Sequence, residues 1–192
     1  MKKPIFTFAS ALLMLFPLIL SGTPPFDCQI TVTGGETSIC QGQPLVLIAR
    51  VDKGLSETAG HQWEAEGKLL SASDKAFVKF DTSHPGIFKV KYFAMDQEGN
   101  QAQCELEINV ASLPSVEIVE NFGVFQRILF KKPMLSLHIN STESHTFQWF
   151  LDEDAIPGAN GSEFRPKSAG KYHARVTSPQ GCRTFSKEII IE

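Results

Sequence analysis

The chain repeats itself. Gln62-Trp63 returns 86 positions later as Gln148-Trp149. Upstream, Gln43-Pro44-Leu45 matches Lys132-Pro133-Met134. Downstream, His84-Pro85-Gly86-Ile87-Phe88 matches Ser168-Ala169-Gly170-Lys171-Tyr172, and Gln97-Glu98-Gly99 matches Pro179-Gln180-Gly181. Each copy ends in an alternating apolar run, Cys104 to Val110 and Phe185 to Ile191, and Ala111-Ser112-Leu113-Pro114 joins them. Self-similarity at one long period marks repeated structural units. Copies of about 85 residues are long enough to hold a core each. Two domains are therefore expected, 27–111 and 114–192, with little freedom between them.

Period two runs through both copies. Phe88, Val90, Tyr92 and Ala94 share one face of a strand, with Lys89 and Lys91 opposite. Leu106, Ile108 and Val110 alternate with Glu105, Glu107 and Asn109. In the second copy Leu135, Leu137 and Ile139 alternate with Ser136, His138 and Asn140, and Tyr172, Ala174 and Val176 with His173 and Arg175. Such runs are strands with one face in a core and one in water. Turn residues separate them: Gly34-Gly35, His84-Pro85-Gly86, Glu98-Gly99-Asn100, Pro157-Gly158 and Asn160-Gly161. No convincing helical periodicity occurs after residue 22. The expected class is all-β, two tandem β-sandwiches.

The start of the chain reads as an address. Lys2-Lys3 precedes Ile5 to Leu20, an apolar stretch without a charge, and Ser21-Gly22-Thr23 follows. A basic start, a short apolar run and a small-residue exit predict a secretory signal peptide over 1–22. The apolar run is short of the roughly 20 residues a membrane helix needs, and Pro17 interrupts it. No later segment approaches membrane length. A lipidated Cys28 is disfavoured by Asp27, which stands directly before it. The net charge of −3 over 192 residues offers no basic excess for nucleic acid.

With these residues in place a family resemblance emerges. Gln148-Trp149-Phe150-Leu151, Ile156-Pro157-Gly158-Ala159, Phe164, Gly170-Lys171-Tyr172 and Gly181-Cys182 resemble the immunoglobulin-like domains of bacterial cell-surface and secreted proteins, best known from the Bacteroidetes. The first copy is similar to the related immunoglobulin/PKD-like group through Ile39-Cys40-Gln41-Gly42-Gln43-Pro44, Trp63, Gly86-Ile87-Phe88, Asp96 and Gly99-Asn100. The match covers nearly all of the chain after its leader. It implies that Trp63 and Trp149 fill the space between two sheets, that Tyr172 forms a tyrosine corner, and that Phe88 takes the corresponding place without a hydroxyl. In antibody-type domains a cysteine lies two residues after the corner tyrosine. Ala174 and Val90 stand there, so that bridge is not expected.

A secreted context permits disulfides, and four cysteines allow three pairings. The resemblance implies Cys40–Cys104 within the first copy. Aligning Pro133 with Pro44 puts Leu129 where Cys40 would recur, so Cys28 and Cys182 are expected unpaired, used between chains, or joined to each other.

Searches for chemistry return little. No nucleophile elbow, phosphate loop or paired-histidine zinc motif occurs, and the five histidines are scattered. Asp152-Glu153-Asp154 is the densest acidic cluster, but it lacks the spaced ligands of a calcium loop. No catalytic residue, cofactor or metal is assigned. The expected function is a secreted or cell-surface, non-catalytic binding or adhesion protein that takes a protein or glycan ligand. The alternative is a structural spacer or accessory subunit of a surface enzyme or transport complex.

Overall fold

Apolar side chains at alternate positions bury one face of each strand, and two such faces closing on each other make a sandwich. The computed structural model shows this twice, over residues 27–52, 58–122 and 132–192. The predicted signal peptide, with Leu129, lies outside these residues. The first half runs β1 (Cys28–Val32), β2 (Ser38–Cys40), β3 (Leu45–Val51), β4 (Thr58–Ala65), β5 (Phe77–Phe80), β6 (Gly86–Asp96) and β7 (Gln101–Ala111). Strands pair in the order β1-β3-β5 in one sheet and β2-β7-β6-β4 in the other. The second half runs β8 (Val116–Asn121), β9 (Met134–Ile139), β10 (Thr146–Leu151), β11 (Asp154–Ala155), β12 (Glu163–Phe164), β13 (Gly170–Thr177), β14 (Arg183–Phe185) and β15 (Ile189–Ile191). Its sheets are β12-β9-β8 and β11-β10-β13-β14, with β15 also on β13. No helix occurs among the described residues, so none there crosses a membrane.

Each half has its own buried cluster. In the first, Leu45, Leu47, Val78 and Phe80 of one sheet meet Trp63, Val90, Tyr92 and Ile108 of the other. In the second, Leu135, Trp149, Tyr172, Ala174 and Ile191 form a smaller cluster. The two tryptophans use one device. The indole N–H of Trp63 donates to the carbonyl of Lys75 at 2.7 Å, and that of Trp149 to the carbonyl of Gly161 at 2.9 Å, each twelve residues on. A large apolar body with one polar handle suits a core flanked by a loop. The Tyr172 hydroxyl donates to the carbonyl of Ser168 at 3.0 Å, four residues back, a bond that ties the corner to the strand.

The equivalent corner of the first half differs. Both glycines that open the long strands, Gly86 and Gly170, sit at positive φ, 151° and 147°. Counted from them, Phe88 matches Tyr172. Counted from the tryptophans, the match is Val90, because Ala65 pairs with Val90 while Leu151 pairs with Tyr172. Two extra residues therefore separate glycine from tryptophan partner in β6. Phe88 is half-buried and meets Phe80 edge-on at 5.3 Å. The aromatic partner of Trp63 is instead Tyr92, with ring centroids 4.8 Å apart.

Tyr92 is fully buried, and its hydroxyl shares a hydrogen bond with His61 Nδ1. Burial holds the phenol above its ordinary pKa of 10.0. A group whose folded pKa is raised contributes stability that is present below the unfolded value and lost as pH climbs through the folded one. Stability should therefore fall above about pH 10. Tyr92→Phe should flatten that fall, and urea midpoints recorded from about pH 8 to about pH 11 check it. Equal slopes for both proteins would assign the alkaline loss elsewhere.

The cysteines correct the sequence reading. Cys28 joins Cys104 and Cys40 joins Cys182, with Cα–Cα distances of 5.7 and 5.5 Å. Neither Cys28 nor Cys182 is unpaired, and Cys40–Cys104 does not form. The reason is register. Cys40 lies in β2 and pairs in parallel with Ala111, at the far end of β7. Cys104 is seven residues back along that strand, about 23 Å at 3.3 Å per residue. A disulfide tolerates no more than about 7 Å between Cα atoms. Cys28, in the opposite sheet, faces Cys104, so this bridge ties the two sheets of the first sandwich. The Cys40–Cys182 bridge ties the halves. Cys40 adjoins Ala111, where the connection Ser112–Ser115 begins, and Cys182 closes the turn between β13 and β14. The bridge therefore runs beside the connecting peptide and pins the junction of the two sandwiches a second time.

Candidate binding face

The residues singled out in the sequence are mostly interior. Trp63, Trp149 and Tyr172 are 3%, 0% and 1% exposed, which leaves no ring face for a ligand. Asp152-Glu153-Asp154 is an exposed hairpin end. Asp152 takes φ 53° there, and its carboxylate accepts from the Lys171 amide at 3.1 Å. Among the described residues no three His, Cys, Asp or Glu side chains are grouped to hold a metal.

The outward face of the second sheet holds what the motifs missed. Trp149, Tyr172 and Ala174 point inward, so the alternate positions point out: Gln148 and Phe150 on β10, Lys171, His173 and Arg175 on β13, and Phe185 on β14. Phe150 stands directly opposite His173, and Arg175 opposite both Gln148 and Phe185. The Phe150 and His173 rings stack at 4.9 Å with planes 4° apart. Phe185 closes on Phe150 at 5.9 Å and on His173 at 5.7 Å, steeply tilted to both. The Arg175 guanidinium lies 5.8 Å from the Phe150 centroid, within cation–π range. Phe185 is 55% exposed.

Polar groups complete the face. The Gln148 amide is turned back, donating to the carbonyls of Trp149 and Ile156, and contributes bulk rather than recognition. Lys171 meets Glu188 at 3.4 Å. Among the described residues Arg175 and Arg183 have no carboxylate partner. His173 Nδ1 is buried beneath the aromatic cluster and has no hydrogen-bond partner among the described residues. A buried nitrogen without a partner costs stability.

Two other surface features are weaker. A cleft of about 260 Å³ on the outer face of β4 and β6 lies between Phe93, Met95, Gln62 and Gln101. Around it Lys91 pairs in register with both Glu64 and Glu105, so carboxylates outnumber cations on that face. A more polar cleft of about 680 Å³ lies at the junction, between Leu113, Asn140, His145 and Gln180. Phe150 and Phe185 were legible only as exceptions, apolar residues on the polar parity of their strands.

No protein-family model and no curated protein matches the chain. Solved structures do. The C-terminal 282-residue fragment of intimin, in complex with the intimin-binding domain of its translocated receptor, superposes with TM-score 0.50 at 14% identity. That match covers 84% of this chain and 62% of that one. SGBP-B of a Bacteroides ovatus mixed-linkage glucan utilization locus, in complex with a mixed-linkage heptasaccharide, gives 0.35 at 16%, over 94% and 46%. Fibronectin(III)-like modules of Clostridium thermocellum CbhA give 0.40 at 12%, over 85% and 94%. This chain thus spans about half of the Bacteroides protein and under two thirds of the intimin fragment. At such identities the likeness speaks of fold alone. Strand order and paired sheets, together with the match to the intimin fragment, make the chain an all-β protein built of two tandem immunoglobulin-like β-sandwiches.

Proposed function

We propose that this is a secreted or cell-surface binding protein without catalytic activity. In this reading residues 1–22 are a signal peptide, and 27–111 and 114–192 are the two domains. The bacterial, Bacteroidetes-type and PKD-like resemblance belongs to the same proposal. Two disulfides support an oxidising compartment. The observation that carries the binding role is the Phe150–His173–Phe185 cluster on an open sheet face. Exposed aromatic groups set beside arginines on a rigid sheet are the composition of recognition surfaces. The ligand is a protein or a glycan. In intimin and SGBP-B, relatives in fold, the complexes described above are of those two kinds.

Phe185→Ala tests the assignment. Phe185 is exposed at a sheet edge, so stability should change by no more than about 0.5 kcal/mol. Capture of the immobilised protein's ligand from a panel of purified polysaccharides and surface proteins should be lost. Retained capture would move the site elsewhere, with the junction cleft next in line. The Cys40–Cys182 bridge supports a second reading, a stiff spacer or accessory subunit. That reading predicts co-purification with an enzyme or transporter and no effect of Phe185→Ala.

A further inference from the structure

The charges on the aromatic face point to the ligand's chemistry. The outward positions of β10, β13 and β14 are Thr146, Gln148, Phe150, Lys171, His173, Arg175, Thr177, Arg183 and Phe185, none of them acidic, and Glu188 beside them is taken up by Lys171 at 3.4 Å. This holds on a chain whose net charge is −3. Arg175 sits directly across from Phe185, a cross-strand distance of about 5 Å, and Arg183 lies two residues before it on the same face, about 7 Å away. The exposed Phe185 ring thus stands between two arginine positions, and the Arg175 guanidinium lies over the neighbouring Phe150 ring. The exposed part of the patch is a few side chains wide. It suits one or two sugar rings.

We propose that Phe185, Arg175 and Arg183 form a subsite for a carboxylate-bearing sugar of an extended glycan, an inference that rests on the binding role assigned to this face. The apolar face of the pyranose lies on the Phe185 ring, as flat C–H surfaces do on aromatic groups. The uronate carboxylate takes the planar fork of Arg175 or Arg183, which matches its geometry two bonds at a time. Phe150 and His173 hold Phe185 and Arg175 in place from below.

Affinity electrophoresis of the disulfide-intact protein decides the matter, with polygalacturonate as the probe, dextran as the neutral glycan and polyglutamate as a polyanion without rings. Polygalacturonate should retard the parent protein, and dextran and polyglutamate should not. Arg175→Gln and Phe185→Ala should each weaken retardation at least about tenfold, the effect of losing one charged hydrogen bond or one stacked ring. Arg50→Gln, an exposed arginine of the first domain, should leave it unchanged. Urea midpoints equal to the parent's show that the variants are folded. Equal retardation by polyglutamate overturns the proposal in favour of simple polyanion attraction. Failure of polygalacturonate alongside Phe185-dependent capture of a neutral glycan or a protein overturns it while leaving the binding role intact. A parent protein that binds no probe, glycan or protein in a Phe185-dependent way overturns both.

Discussion

Trp149→Ala should cost the second sandwich about 3–5 kcal/mol, the range for emptying a buried site of that size. The side chain is fully buried, and its ring stacks on Phe164 with centroids 5.5 Å apart. Truncation removes the largest member of a cluster whose other buried residues are Leu135, Tyr172, Ala174 and Ile191. It also leaves the Gly161 carbonyl without the indole donor. Domains of this size are stable by only about 5–15 kcal/mol, so this half would sit near its unfolding threshold at ambient temperature. Trp63→Ala should cost a similar amount, but within a larger core that Phe80, Tyr92 and Ile108 continue to fill. Urea unfolding followed by far-UV circular dichroism reads both effects. An unchanged midpoint for Trp149→Ala would contradict the packing described above.

The second large effect concerns the bridge between the sheets of the first sandwich. Cys28 and Cys104 are separated by 76 residues. Closing a loop of that length stabilises by about 4 kcal/mol in the chain-entropy model. The double variant Cys28→Ser/Cys104→Ser removes the cross-link without leaving a stray thiol to reshuffle with Cys40 or Cys182. Its oxidised form should lose about 4 kcal/mol in the first transition. Cys40→Ser/Cys182→Ser should act differently, because that bond joins the two halves beside a peptide that already joins them. It should separate the unfolding of the two sandwiches more than it lowers either. Equal stability of parent and Cys28→Ser/Cys104→Ser would mean that the sheets do not need the bridge.

What could be read from the sequence was local. Alternation such as Leu106, Ile108 and Val110 against Glu105, Glu107 and Asn109 reports burial residue by residue, and the strands follow it. Turn residues act on their own backbone. Gly99 takes φ 85° and donates to the Asp96 carbonyl at 3.2 Å, while the Asp96 carboxylate accepts from the Asn100 amide at 2.8 Å. The cysteine pairing could not be read this way. It depends on the parallel register of β2 against β7, which sets Cys40 beside Ala111 rather than Cys104. That alignment joins residues some 70 positions apart and leaves no local trace. The same holds for the aromatic face. Phe150 and His173 meet because β10 and β13 pair in one register, and Phe185 joins them from a three-residue strand. In Gln148-Trp149-Phe150-Leu151 the tryptophan fills the core, while its neighbour on the other face carries the candidate site. Phe88 and Tyr92 show the remaining difficulty, since two residues added between glycine and tryptophan partner shift which aromatic ring reaches the core.

The covalent frame decides whether the halves are two loosely tethered beads or one unit that holds the aromatic face at a set angle to the rest of the chain. Peptide mapping of the oxidised protein under non-reducing conditions reads that frame directly. The structure predicts two cross-linked species, one joining the peptides of Cys28 and Cys104 and one joining those of Cys40 and Cys182 within a single chain. A peptide pair linking Cys40 to Cys104, with Cys182 left as a free thiol, would contradict both the register of β2 and the pinned junction.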